Sequence, residues 1–329
     1  MTFLFRASDG YVAFLVVLLG FLLHGFGWIS SPNIPLPENS SLSLLGQQVQ
    51  SLFPYDPIPN MALAFLIQLA IIFIFHGMVR KHELLPNDNW AGTLALTWSF
   101  ALFPSQQFLS IHLFALLFTL LSIFRVLSSF RSDLPNMPLF EAGILLGIAV
   151  QLLPETLLLL PVLWIAQGIL RVFSLREWLL ILIGITLPFY LTGFVFFLND
   201  QFDVFIQSWV YALKPEWFLW DSQMTEWLLI PSGIFLLFFF AGILDFSGYR
   251  NKLMLKIRKT HVVFFWWFCL ALFLIAVSGQ HWLNSIWMIS IPMSLYVGVF
   301  LSRYHFIWIK EVFAWLLSGS IIFFQYSTL

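Results

Sequence analysis

With 329 residues, 60% hydrophobic and 9% charged, and a mean hydropathy of +0.91, the chain lacks the polar surface that a soluble protein of its length requires, so lipid must cover much of it. The formal net charge of -1 conceals a strong segregation of sign along the chain and gives no footing for a nucleic-acid or acidic-substrate reading. A single cysteine, Cys269, lies inside an apolar run, which excludes an intrachain disulfide and a cysteine zinc site.

Arg6 precedes the apolar run 11–29. No small-residue cleavage site closes that run, so a retained first helix is expected and not a signal peptide. A hydrocarbon core takes about 20 apolar residues per helix, with about 17 to 25 tolerated. On that measure eleven candidates follow one another: 11–29, 61–79, 90–104, 107–124, 139–153, 156–171, 177–198, 226–246, 261–279, 283–301 and 306–325. The four segments between 90 and 171 are short and are joined in pairs by Pro104-Ser105-Gln106 and Pro154-Glu155, so the expected number of spans is nine to eleven. No segment alternates as a membrane barrel strand does. The expectation is an all-α, polytopic helical membrane protein, with a membrane core over 1–225, a four-helix portion over 226–329 and no soluble domain.

The basic residues orient this arrangement. With the N-terminus cytoplasmic and the C-terminus periplasmic, Arg6, Arg80, Lys81, Arg125, Arg131, Arg171, Arg176, the cluster Arg250 to Lys259, Arg303 and Lys310 all fall on the inner face. The opposite face holds Lys214 as its one cation, together with Glu38, Asp56, Glu155, Asp200, Asp203, Glu216, Asp221 and Glu226. This is the pattern of a bacterial inner-membrane protein. The cluster Arg250 to Lys259 reads as a positive-inside determinant touching anionic lipid head groups, and Asp245, one turn before it, as a partner for those cations.

Two outer loops are long. In 30–60, Asn39-Ser40-Ser41 is a plausible cap for a short amphipathic helix, Leu42 to Phe53, whose apolar face suits the membrane surface. In 199–225, tryptophans and Tyr211 give the composition of an interfacial belt.

Ionisable groups at a membrane boundary are costly unless hydrated or used. Glu38 and Asp56 can act as a general base, or hold a divalent cation, beside a lipid-linked substrate; they can equally be a helix-capping acid and an Asp-Pro turn residue. Glu155 sits where it would cap the helix 156–171, and ranks second as a catalytic candidate. Lys214 can hold a lipid phosphate or pair with Glu216. His112 and His281, near the outer boundary, can bind phosphate or transfer a proton. No two histidines in the apolar runs share an i, i+4 spacing, so no metal site is expected from one helix, and no Gly-rich phosphate loop or nucleophile elbow is present.

A first span, a long outer loop with an acid and a juxtamembrane helix, and then short paired helices resemble the integral-membrane glycosyltransferases of the GT-C type. Gly143-Ile144-Leu145-Leu146-Gly147-Ile148-Ala149, a turn and Leu157 to Leu163 resemble their small-residue hairpin, and Arg176 to Phe197 the span that follows. The resemblance covers roughly 5–220, and Pro37-Glu38-Asn39 offers one acid where that superfamily has a pair. Over 88–198 the chain also resembles uncharacterised polytopic inner-membrane proteins of the Bacteroidota. The first resemblance implies sugar transfer from a polyprenyl-phosphate donor at the periplasmic face, with Glu38 or Asp56 as the acid and Lys214 on the phosphate. Two other classes stand beside it: a non-catalytic membrane subunit of an envelope assembly, secretion or motility complex, bound to other membrane proteins, and a transporter. Membrane lipid is the partner common to all three.

Overall fold

The computed structural model describes residues 10–30, 42–86, 89–102, 107–130, 136–172, 174–212, 229–278, 285–303 and 307–327. The chain is all-α, and no β-strand forms among the described residues. In chain order the helices are α1 (Tyr11–Ser30), α2 (Leu44–Ser51), α3 (Pro57–Lys81), α4 (Ala91–Ala101), α5 (Ile111–Ser128), α6 (Asn136–Leu152), a 3-10 segment (Pro154–Leu159), α7 (Leu160–Leu170), α8 (Leu175–Leu198), α9 (Phe202–Ala212), α10 (Leu229–Tyr249), a second 3-10 turn (Arg250–Lys252), α11 (Leu255–Val277), α12 (Trp287–Ser302) and α13 (Ile307–Ser327). Each of the eleven apolar segments therefore contains a helix. Five stretches, Pro57–Lys81, Ile111–Ser128, Leu175–Leu198, Ile230–Gly248 and Leu255–Val277, are long and apolar enough to cross a membrane. This is a membrane protein.

The short helices are short because they are interior. Every residue of α4 is buried, and so is nearly every residue of α12, so these two are walled by protein and not by lipid. They cross at Gly92 and Gly298, where a Cβ on Gly298 would stand 2.7 Å from the Cα of Gly92. Trp98 of α4 donates its indole N–H to Ser318 Oγ of α13 at 3.0 Å, satisfying a buried donor. Helices α3 and α8, by contrast, leave Leu66, Ile183, Tyr190 and Phe194 exposed, as lipid-facing sides should.

The small residues of α6 serve a different neighbour from the one expected. Gly143 and Gly147 lie against Gly184 and Ile185 of α8, where an added Cβ would come within 3.0 Å of the Cα of either residue. Helix α7, meanwhile, packs on α11 and α5. The break at Leu153-Pro154 thus sends the chain to a new partner instead of folding a tight α6–α7 hairpin.

Charged side chains tie several helix ends together. Ion pairs Arg125–Glu141 (3.1 Å), Arg171–Glu177 (3.4 Å) and Arg303–Asp245 (3.3 Å) gather the α5–α6, α7–α8 and α10–α12 junctions. The α7–α8 junction is fully networked, with Gln167 donating to Glu177 at 2.8 Å and Arg171 to the Ser129 carbonyl at 2.9 Å. Asp245 pairs with Arg303 and not with the adjacent cluster 250–259. At the far end, α2 is shorter than expected and is capped by Ser43, which accepts from the Gly46 N–H at 3.0 Å and donates to the Gln151 carbonyl. Leu42 is buried, and Phe53 stacks on Phe114 at 5.6 Å. The apolar face of α2 is therefore docked on α5 and α6, and not laid on the lipid surface.

Candidate functional site

A groove of about 490 Å³ opens at the arginine-bearing end, between the end of α3, residues 83–86 with Asn89, α10, α11 and α12. Its floor is apolar: Leu84, Leu85, Phe246, Ile257 and Val299. Its polar lining is Arg80, Glu83, Asn89, His261 and Arg303. Each piece has a local cause. Helix α3 ends in a Schellman-type turn, with Leu84 N–H reaching back to the Val79 carbonyl at 3.0 Å. That turn puts Glu83 in the left-handed region at φ 53°, a place where glycine is usual, at a cost of about 1–2 kcal/mol. Strain of this kind is retained where the side chain is wanted.

His261 is the most deeply buried of the polar lining residues, at 1% exposure. Its Nε2 lies 2.9 Å from the Leu84 carbonyl, which can only accept, so Nε2 carries the hydrogen. In the neutral ring Nδ1 is then an acceptor, and it has no partner among the described residues. Phe246 covers one face of the ring at 4.2 Å, and Tyr296 donates to the His261 carbonyl at 2.9 Å, so the imidazole is held in place. Arg303 is tied by Asp245. The α10–α11 connection, which supplies Leu253, carries Arg250 and Lys252, and the first turns of α11, which supply Ile257, carry Lys256, Arg258 and Lys259.

The residues expected from sequence lie elsewhere and do not converge here. Asp56 is the N-cap residue of α3, exposed, with no side-chain cap hydrogen bond. His112 is buried in the first turn of α5. Glu155 does not cap the helix that follows it; its carboxyl lies 2.6 Å from Ser278 Oγ and 3.2 Å from Ser285 Oγ, within hydrogen-bond distance of both. Glu38, Lys214 and His281 lie outside the described residues. Among the described residues no group of three His, Cys, Asp or Glu side chains is placed to hold a metal.

Comparison with known families matches residues 51–329 to DUF6427, a family of unknown function. The chain belongs to the DUF6427 family. No curated protein and no solved structure matches it. The matched segment of this DUF6427 chain contains every groove residue as well as Glu155, Ser278 and Ser285, while Glu38 precedes it.

The groove escapes a reading by segments because its parts are remote in sequence, at 79–89, 246–261 and 299–303. One signal was available. A charged pair, Arg80 and Glu83, brackets the end of α3 and is followed by the apolar Leu84-Leu85-Pro86, an unusual sequel for a solvated loop.

Proposed function

We propose that this protein binds a phosphate-headed amphiphile in the groove and works as a lipid-handling protein of the bacterial cytoplasmic membrane, with the groove at the inner face. The observation that carries the reading is one apolar-floored cleft that has two guanidinium groups on its rim and a buried His261 Nδ1 without a partner. Guanidinium groups match phosphate oxygens with paired N–H donors. A bare imidazole acceptor suits a hydroxyl on the same head group, and the apolar floor suits the first methylenes of its chain. The polyprenyl-phosphate donors implied by the GT-C resemblance fall in the same chemical class. Sugar transfer at the opposite face would rest on Glu38, Asp56 and Lys214, and no geometry favours it over the groove.

The test is a binding titration of the detergent-solubilised full chain by native mass spectrometry, with phosphatidic acid, diacylglycerol of the same chains, and inorganic phosphate as probes. Phosphatidic acid should bind and diacylglycerol should not. Arg80→Gln should weaken phosphatidic acid binding by roughly tenfold, the loss of one charge-assisted contact. Equal binding of phosphatidic acid and diacylglycerol would refute the reading. Inorganic phosphate competing at equal concentration would show a head-group site that makes no use of the floor, and would refute the amphiphile.

A further inference from the structure

At the end of the molecule away from the groove, the helix break after α6 is stitched to the end of α11 by a cluster of oxygens whose protons can be counted. Three close oxygen–oxygen contacts meet at Ser278 Oγ: 2.6 Å to Glu155 Oε2, 2.7 Å to the Leu274 carbonyl and 2.8 Å to Ser285 Oγ. Each such separation is that of an O–H···O hydrogen bond, so each needs one proton between its oxygens. The Leu274 carbonyl has none to give, and Ser278 and Ser285 have one each. Two serine protons cannot serve three contacts.

We infer that Glu155 supplies the third, so that the carboxyl group is protonated and this seam is a proton-binding site. Glu155 O–H then donates to Ser278 Oγ, Ser278 donates to the Leu274 carbonyl, and Ser285 donates to Ser278 Oγ. Ser278 accepts two and donates one, which is its full capacity. With an ionised carboxylate the two serine protons would go to Glu155 and to Ser278 itself, leaving Ser278 Oγ and the Leu274 carbonyl opposed at 2.7 Å with lone pairs only.

The surroundings agree. Among the described residues the partners of Glu155 are the two hydroxyls. The titratable groups on the elements around it are Glu141 on α6, Asp203 and Tyr211 on α9, Lys256, Arg258, Lys259, His261 and Cys269 on α11, and Tyr296 on α12, while α7 carries none. Glu141 is engaged by Arg125, and the α11 cations belong to the groove end. His281 stands in the connection between the two serines and lies outside the described residues. Loss of the proton sets lone pair against lone pair, so the tie between the α6 break and the α11 and α12 ends loosens when Glu155 ionises. The site is independent of the groove.

Infrared difference spectroscopy on the full chain in detergent, wild type against Glu155→Gln at neutral pH, reads the proton directly. The expected result is a protonated carboxylic carbonyl band in the wild type that the variant lacks. A carboxylate band in its place would overturn the inference. The neutral amide of Glu155→Gln should also melt close to the wild type, while Glu155→Ala melts lower; equal losses in both would count as refutation. Should Glu155→Gln fail to fold, Ser278→Ala removes the acceptor of the acid's hydroxyl and must move the wild-type carbonyl band, and an unmoved band overturns the assignment.

Discussion

Helix α12 carries Val299 and Arg303 into the groove only because it approaches α4 at Gly298 more closely than any side chain allows. Gly298→Ala tests that approach. The new Cβ would lie 2.7 Å from the Gly92 Cα and 2.9 Å from its backbone nitrogen, and 3.4 Å from Leu85 Cδ1. The first two are backbone atoms of a fully buried helix, so relief has to come from moving α12 away from α4. Overpacking of this kind costs about 1–3 kcal/mol. Against it runs the helix-propensity gain of about 1 kcal/mol for replacing glycine by alanine, which leaves a net loss of up to about 2 kcal/mol. Gly77→Ala in α3 is the matched control, because its Cβ meets nothing within 4 Å and only the propensity gain remains. Thermal unfolding in detergent, followed by size-exclusion profile, should place Gly298→Ala below the wild type and Gly77→Ala at or above it. Since Leu85 lies on the groove floor, Gly298→Ala should also weaken amphiphile binding. If the two variants melt alike, the close α4–α12 crossing is wrong.

Three further outcomes are expected. Asn60, buried, accepts from the Leu109 N–H at 2.7 Å and donates to the Pro54 carbonyl at 3.0 Å; Asn60→Ala should cost about 1–3 kcal/mol by orphaning a buried N–H, read by the same melting assay. Glu83→Gly should raise stability by about 1–2 kcal/mol through relief of the left-handed backbone, while removing the groove's acid. His82, just beyond α3, is buried near Lys256 and Lys81, and burial first and those cations second lower its pKa from 6.5 to about 4. Between those values the unfolded chain binds the proton and the folded one does not. The contribution of His82 to stability is therefore full above pH 6.5 and falls by up to about 3 kcal/mol as the pH drops to about 4, and melting temperatures of His82→Asn should fall less steeply with pH than those of the wild type.

Much of the helical plan is legible in the residues themselves. Runs of apolar side chains such as 61–79 and 177–198 must become helices in lipid, because every backbone group has to be satisfied within the segment. Which helix neighbours which does not follow. Gly143 and Gly147 announce a close approach without naming its partner, and that partner is α8 because the Leu153-Pro154 break carries α7 away. Glu155 was visible as the acid in the break after 139–153, but its serines are more than a hundred residues distant. The groove was hidden for the same reason: Arg80, His261 and Arg303 have no sequence relation until α3, α11 and α12 pack.

A density map of the protein in lipid nanodiscs containing phosphatidic acid tests the central claim most directly. The account predicts a head-group feature between Arg80 and Arg303, within hydrogen-bond reach of His261 Nδ1, with its chain along Leu84, Phe246 and Val299. An empty groove, with ordered head-group density only at the end of the molecule that holds Glu155, would contradict it.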